Sequence, residues 1–234
     1  MSNNPTRGRL MSVTLASLIA AAAATLVLAV SDAHEGHAET AHGHNHATAV
    51  SGKATAKRAA FHDAMRRLWE DHITWTRLAI VSFAHDLPDL PATEARLLRN
   101  QVDIGNAIKP YYGRAAGNAL TALLKEHITG AVALLQAAKS GDQAAIDRRT
   151  AEWYANGNEI ADFLHKANRR YWPRPVLRQM MKGHLDQTLK EAVDRLQGNY
   201  QADIRDYDRV HRHILMMADA LSSGIIKQFP RRFR

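Results

Sequence analysis

The chain has 234 residues, no cysteine, and 31 lysine and arginine residues against 23 aspartate and glutamate residues, which gives a formal net charge of +8. The lack of cysteine excludes disulfide bonds and thiolate metal ligands. Any metal site must therefore use histidine, carboxylate or methionine side chains.

The N-terminal segment is typical of an export signal. The run 10–30 carries no charge and follows Arg7 and Arg9, the order of a positive region and an apolar region in a signal peptide. We predict a signal peptide over 1–33 and an exported, periplasmic or otherwise extracytoplasmic protein. The run is also long enough to span a bilayer, so an uncleaved N-terminal anchor is the alternative. Small residues make 27–29, 31–33 and 36–38 candidate cleavage sites.

A histidine-rich tract follows this segment. Residues 34–55 contain almost no large apolar side chains, so they cannot bury enough surface to offset the entropy of ordering, and we predict a flexible linker. Neutral imidazole is a common ligand for zinc, copper and nickel, so the tract is a candidate accessory metal site, with a polar spacer as the alternative. The histidines concerned are His34, His37, His42, His44 and His46.

From about residue 56 the pattern is helical. Apolar residues recur at three- and four-residue spacing, and Ala, Leu, Arg, Gln and Glu dominate, which favours helices and gives no strand alternation. Turn residues separate the helices. The sequence predicts an all-α fold, an up-and-down bundle of about six helices, four of them long, over 56–230. The predicted helices cover about 56–85, 92–109, 114–139, 143–168, the stretch from Pro175 to about 197, and 200–228.

Several polar side chains fall on the apolar stripes of these helices. His72, His127 and His184 lie on the core lines of three different helices, Glu191 shares the face of His184, and Asp203 points inward near the start of the last helix. Burial of a polar group is costly without a partner, and histidines with carboxylates from separate helices are the ingredients of a metal site in a bundle. A single such histidine is more often an ordinary core imidazole, so the prediction depends on all three together.

A second set of polar side chains lies close to these stripes. Methionine can offer a thioether to copper(I), although methionine at helical spacing more often fills the core. Neither the Glu-x-x-His pair of di-iron bundles nor a phosphate loop or a nucleophile elbow occurs, so no enzyme activity is predicted. The secondary candidates are Thr76, Asn156, Glu159, Thr188, Asp206, Tyr207 and His213, with thioethers at Met180, Met181, Met216 and Met217.

Four motifs resemble an uncharacterised bacterial family of small helical-bundle proteins. The resemblance covers about 65–229, outside the signal and the histidine-rich tract. It implies a helical fold and assigns no activity and no site residue. The motifs are Trp-Glu-Asp-His-Ile-Thr-Trp-Thr-Arg at 69–77, Lys-Pro-Tyr-Tyr-Gly at 109–113, Trp-Tyr-Ala-Asn at 153–156 and Gly-Ile-Ile-Lys-Gln-Phe at 224–229.

The sequence predicts an exported bundle that binds copper, zinc or iron for sequestration or delivery, with an accessory histidine tract. One alternative is a small-molecule binding or sensing module with an interior polar and aromatic pocket. Another is a structural envelope protein whose buried histidines pair with Glu191 and Asp203. The arginines at 231, 232 and 234 look like a solvated basic tail that suits an anionic membrane surface. No nucleic acid is expected as a partner, and a homo-oligomer is left open.

Overall fold

The computed structural model describes residues 45–234, with side chains from residue 52, and these residues are almost entirely helical. No strand occurs in this part of the chain, and the predicted all-α class is confirmed. The elements in order are α1 (Asn45–Ala84), α2 (Leu90–Ser140), α3 (Gln143–Ala167), α4 (Arg174–Leu196), α5 (Tyr200–Gln228) and a short 3-10 helix (Pro230–Phe233).

The predicted signal peptide over 1–33 lies outside the described residues, as do His34, His37, His42 and His44. Helix α1 begins at Asn45 rather than near residue 56, so the chain is already helical over 45–55, where a linker was predicted. The residues that follow Gly52 are mostly Ala, Lys and Arg, which are strong helix formers. Between residues 45 and 234, no helix is both long and apolar enough to cross a membrane.

Helix α2 spans the helices predicted at 92–109 and 114–139, which form its two arms, so residues 45–234 contain five α-helices and α2 is divided at Gly113. At Gly113 the backbone leaves the helical region, with φ 86° and ψ 167°, a conformation that glycine adopts at little cost. Thr121 Oγ1 approaches the carbonyl oxygen of Gln101, 20 positions earlier, at 3.5 Å. In a straight helix these residues would be about 30 Å apart. The arms 90–112 and 114–140 therefore run antiparallel.

Two glycines allow the arms of α2 to approach backbone to backbone. A Cβ atom at Gly105 would lie 2.6 Å from the carbonyl oxygen of Gly117 and would collide with the side chain of Thr121. We expect Gly105→Ala to lower the free energy of unfolding by about 2 kcal/mol, because the arms must separate. The matched control is Gly52→Ala, where an added Cβ meets nothing within 4 Å and the gain in helix propensity is stabilising. Urea unfolding compares the two, and equal stability of Gly105→Ala and the parent chain would contradict the close approach.

Each helix packs on its neighbours in the chain, and α5 packs on α1, which closes the bundle. At one end Lys139, at the end of α2, donates to the carbonyl of Phe83, at the end of α1. At the other end Gln228, the last residue of α5, donates to the carbonyl of Ala167, the last residue of α3. This second end also holds the start of α1 beyond residue 52, the reversal at Gly113, the turn between α3 and α4, and the 3-10 helix.

The C-terminal segment is packed onto the bundle rather than forming a loose tail. The ring of Phe233 is 3% exposed and lies 5.1 Å from the ring of Phe61 and 5.7 Å from the ring of Tyr111, measured between centroids. Lys57 Nζ donates to the carbonyl of Arg234 at 2.5 Å. These contacts fix the backbone of the segment, from which the exposed arginine side chains extend.

Candidate metal centre

Three histidines from three helices meet in the core. The ring centroid of His184, on α4, lies 5.7 Å from that of His72, on α1, and 6.1 Å from that of His127, on α2. None of the three is more than 4% exposed. They come together because each lies on the inward stripe of its helix, as predicted, and at a similar level along the bundle. Three buried imidazoles in contact are unusual, since buried polar groups normally have separate partners.

The histidines differ in their hydrogen bonds. His127 Nδ1 lies 3.1 Å from Asn156 Oδ1, while Asn156 Nδ2 donates to the carbonyl of Leu123. The amide oxygen can only accept, so Nδ1 of His127 carries the proton and Nε2 keeps a free lone pair. His72 Nδ1 lies 3.3 Å from Gln101 Nε2. His184 Nδ1 is buried and has no hydrogen-bond partner.

A cavity of about 30 Å³ lies against the three histidines. Its volume suits one or two water molecules or a single ion. A second cavity, of about 50 Å³, is lined by Thr188, Trp153 and apolar side chains. Both volumes are far below the several hundred Å³ of sites that hold organic ligands, so neither favours the predicted small-molecule module. The first cavity is also lined by three thioethers, those of Met65, Met181 and Met217.

Burial keeps all three imidazoles neutral at physiological pH. Burial, reinforced by the neighbouring His127, lowers the pKa of His72 to about 3. Burial lowers the pKa of His127 to about 4, against the opposing effect of the hydrogen bond that His127 donates to Asn156. Burial and the other histidines hold the pKa of His184 well below its ordinary value. The neutral form is the one that binds metals.

The predicted carboxylate ligands lie elsewhere, around Arg77. Arg77 Nη1 donates to Glu191 Oε1 at 2.9 Å, and the guanidinium binds both oxygens of Asp203, with Nη2 2.7 Å from Oδ2. Arg195 Nη1 adds a contact to Asp203 at 3.2 Å. Both acids are fully buried, and neither pairs with a histidine as the structural alternative expected. Within residues 45–234, no group of three or more His, Asp or Glu side chains is arranged to hold a metal ion.

Arg77 was missed by the sequence reasoning. It follows Ile73 by four residues and precedes Ile80 by three, and both isoleucines are buried. This spacing places the arginine on a core stripe, which was the available signal. Although burial lowers the pKa of Arg77, the hydrogen bonds that it donates to Asp203 and Glu191 raise that pKa above its ordinary value.

Among the described residues, three of the secondary candidates form no hydrogen bond with the imidazoles of the three-histidine cluster. Thr76 Oγ1 donates to the carbonyl of His72 at 2.8 Å, a local bond within α1. Glu159 is exposed. His213 Nε2 donates to the carbonyl of Met180 at 2.8 Å.

The remaining candidates lie around the carboxylates. The ring of Tyr207 lies 5.4 Å from the guanidinium carbon of Arg77. Asp206 Oδ1 accepts from Arg209 at 2.7 Å. Thr188 Oγ1 is buried without a partner beside the second cavity. Of the secondary set, Asn156 is the residue whose side chain forms a hydrogen bond with an imidazole of the cluster.

A comparison of the chain with protein-family models, with curated proteins and with solved structures finds no match. The resemblance noted from the four motifs therefore stays a prediction.

Proposed function

We propose that this protein binds one transition-metal ion in the cavity beside His72, His127 and His184, for sequestration or delivery outside the cytoplasm. The observation that supports this function is the convergence of three neutral, buried imidazoles on one cavity, with one of them lacking any partner at Nδ1. Such a group costs free energy in the empty protein. A bound cation would use lone pairs that the metal-free core leaves unsatisfied.

The ring spacing would have to shorten for the three histidines to share one ion, since the described side chains are not arranged as a complete metal site. When three imidazole nitrogens lie about 2 Å from one tetrahedral ion, the ring centroids are about 5 Å apart. The two observed separations, 5.7 Å from His184 to His72 and 6.1 Å from His184 to His127, are longer than this value. The rings would therefore have to move together to share one ion. The amide of Asn156, which accepts the Nδ1 proton of His127, is the kind of outer partner that orients a ligating histidine.

The thioethers favour copper(I) over zinc and iron. Met65, Met181 and Met217 line the same cavity as the histidines, and soft sulfur ligands select copper(I). The hard oxygen ligands that would suit iron, Glu191 and Asp203, are held by Arg77. Met216, by contrast, is 58% exposed and does not belong to the site.

The histidine-rich tract belongs to the proposal as an accessory. We propose that its imidazoles capture metal weakly and raise the local concentration beside the bundle. An experiment must therefore measure the metal bound by the histidine-rich tract separately from the metal bound by the interior site.

The test uses a parent variant in which only the tract histidines are changed. We expect this variant, dialysed against copper(I) under reducing conditions, to retain one copper per chain. Adding His184→Gln removes the retained copper, because one of three ligands is lost, whereas adding His85→Gln at an exposed position does not. The parent changes are His34→Ser, His37→Ser, His42→Ser, His44→Ser and His46→Ser.

Copper content by atomic absorption and folding by circular dichroism are measured on the same samples. A folded parent variant that retains no copper would contradict the interior site. Equal copper in the His184→Gln variant and the His85→Gln variant would contradict it too, and retention of zinc instead of copper would contradict the role of the thioethers.

A further inference from the structure

One end of the bundle carries a strong excess of positive charge, although Asp63, Asp103, Asp162 and Asp219 border it. It is formed by 52–62, by 104–118 around Gly113, by 163–177 and by 220–234, and every charged side chain in these four stretches is lysine or arginine. We call this surface the basic end. The stretches are brought together by contacts already described, those of Phe61 with Tyr111 and Phe233 and that of Gln228 with Ala167.

The charge at the basic end is exposed and almost unpaired. Arg169, Arg170, Arg231 and Arg232 are all exposed. Of the lysines and arginines in the four stretches, only Arg174 has an ion pair with a carboxylate among the described residues, to Asp162 at 3.4 Å. Like charges held together in this way repel one another, so an anionic partner stabilises the arrangement.

The opposite end is different, because its charges of both signs are interspersed and paired. Lys139 Nζ lies 2.5 Å from Asp86 Oδ1, and Lys190 Nζ lies 2.6 Å from Asp194 Oδ2 and 2.8 Å from Asp206 Oδ2. The excess of positive charge in the folded domain is thus directed to one end rather than spread over the surface.

We propose that the basic end binds the surface of an anionic lipid bilayer. Two observations favour a bilayer over other polyanions. Helix α1 enters the bundle at this end, and the chain that precedes α1 contains the uncharged apolar run 10–30. Arg170 also lies over the ring of the partly exposed Tyr171, 5.3 Å from the ring centroid, and Val176, five positions later, is 45% exposed. Tyrosine at such a border favours the headgroup region of a membrane.

The basic end therefore makes a larger contact than a C-terminal tail would. The backbone of Arg231 and Arg232 is fixed by the packing of Phe233, and Arg169 and Arg170 come from the turn between α3 and α4. Juxtamembrane lysines and arginines are attracted to anionic headgroups within a Debye length of the surface. Lysines and arginines on a folded surface gain this attraction without the entropy cost of ordering a flexible tail.

The test measures sedimentation of the whole chain with vesicles of phosphatidylcholine and with vesicles that also contain phosphatidylglycerol. Binding to the zwitterionic vesicles measures the contribution of the apolar run. The additional binding to the anionic vesicles measures the contribution of the basic end. We expect the double variant Arg231→Gln with Arg232→Gln to lower the anionic partition coefficient by about 30-fold. The matched control, Arg148→Gln with Arg205→Gln, changes two exposed arginines at the opposite end, and we expect it to have little effect.

Added salt should weaken the additional binding to the anionic vesicles and leave the binding to the zwitterionic vesicles unchanged. The proposal is overturned if the chain partitions equally onto the two vesicles, or if the control variant loses as much binding as the test variant. It is also overturned if duplex DNA at the same salt competes the chain off the anionic vesicles, since the basic end would then prefer a nucleic acid.

Discussion

Acidification is expected to lower the free energy of unfolding of the metal-free protein by about 3 kcal/mol for each pH unit between pH 6.5 and pH 4.5. The cause is the cluster of His72, His127 and His184. In the unfolded chain these imidazoles take up protons below their ordinary pKa of 6.5, whereas in the folded chain the pKa of His72 is lowered to about 3 and that of His127 to about 4. The unfolded state therefore binds more protons throughout this interval, and stability is lost as the pH falls.

The size of the effect follows from the number of groups. Each buried histidine contributes about 1.4 kcal/mol per pH unit, and Glu191 acts in the opposite direction. Burial raises the pKa of Glu191 from 4.5 to about 7, against the lowering effect of Arg77. The folded state then holds a proton that the unfolded state has lost, so acidification through this interval favours the fold at that one site.

Urea unfolding at a series of pH values measures the slope. The variant His127→Gln should reduce the slope by about 1.4 kcal/mol per pH unit, because one of the three histidines no longer titrates. His85→Gln, at an exposed position, should leave the slope as it is. A stability that does not change between pH 6.5 and pH 4.5 would show that the histidines can be protonated within the folded protein.

Replacement of Arg77 by methionine is expected to lower the free energy of unfolding at pH 7 by about 3–5 kcal/mol. The change leaves the fully buried Glu191 without a cation, and it leaves the fully buried Asp203 with Arg195 alone, at 3.2 Å. A buried carboxylate without a cation is strongly unfavourable, whereas removal of the whole charged group is far less so. Adding Glu191→Gln and Asp203→Asn to Arg77→Met should therefore recover most of the loss.

The matched control is Arg66→Met on the same helix. Arg66 Nη1 lies 2.6 Å from Asp219 Oδ2, but these side chains are 42% and 46% exposed, and such pairs contribute about 1 kcal/mol or less. Thermal and urea unfolding compare the variants. If Arg77→Met cost no more than Arg66→Met, solvent would have to reach the two carboxylates.

The burial of the three histidines could be predicted from the sequence because helical periodicity tells which side of a helix faces the core. The partners of Glu191 and Asp203 could not be predicted in the same way. Periodicity gives the face, but the partner depends on which side chains of a neighbouring helix lie at the same level. Arg77 lies at that level, and its contact with Glu191 joins positions 114 apart in the chain.

The turn within α2 was also beyond what helical periodicity can predict. The sequence predicted separate helices at 92–109 and 114–139, which would ordinarily imply a loop between them. The chain instead reverses at Gly113, because one positive φ there and the contact between Gly105 and Gly117 suffice for the turn. Small residues on both arms made this possible, and their pairing is visible only once the arms face each other.

The packing of α5 on α1 has a consequence for the order of folding. Most helix contacts join neighbours in the chain and can form early, but α5 must meet α1 across a long loop, as the Arg66 to Asp219 contact over 153 positions illustrates. Helix α5 also supplies Met217 to the cavity. The cavity thus stays open along one side until α5 packs on α1, and it is enclosed only in the last step of folding.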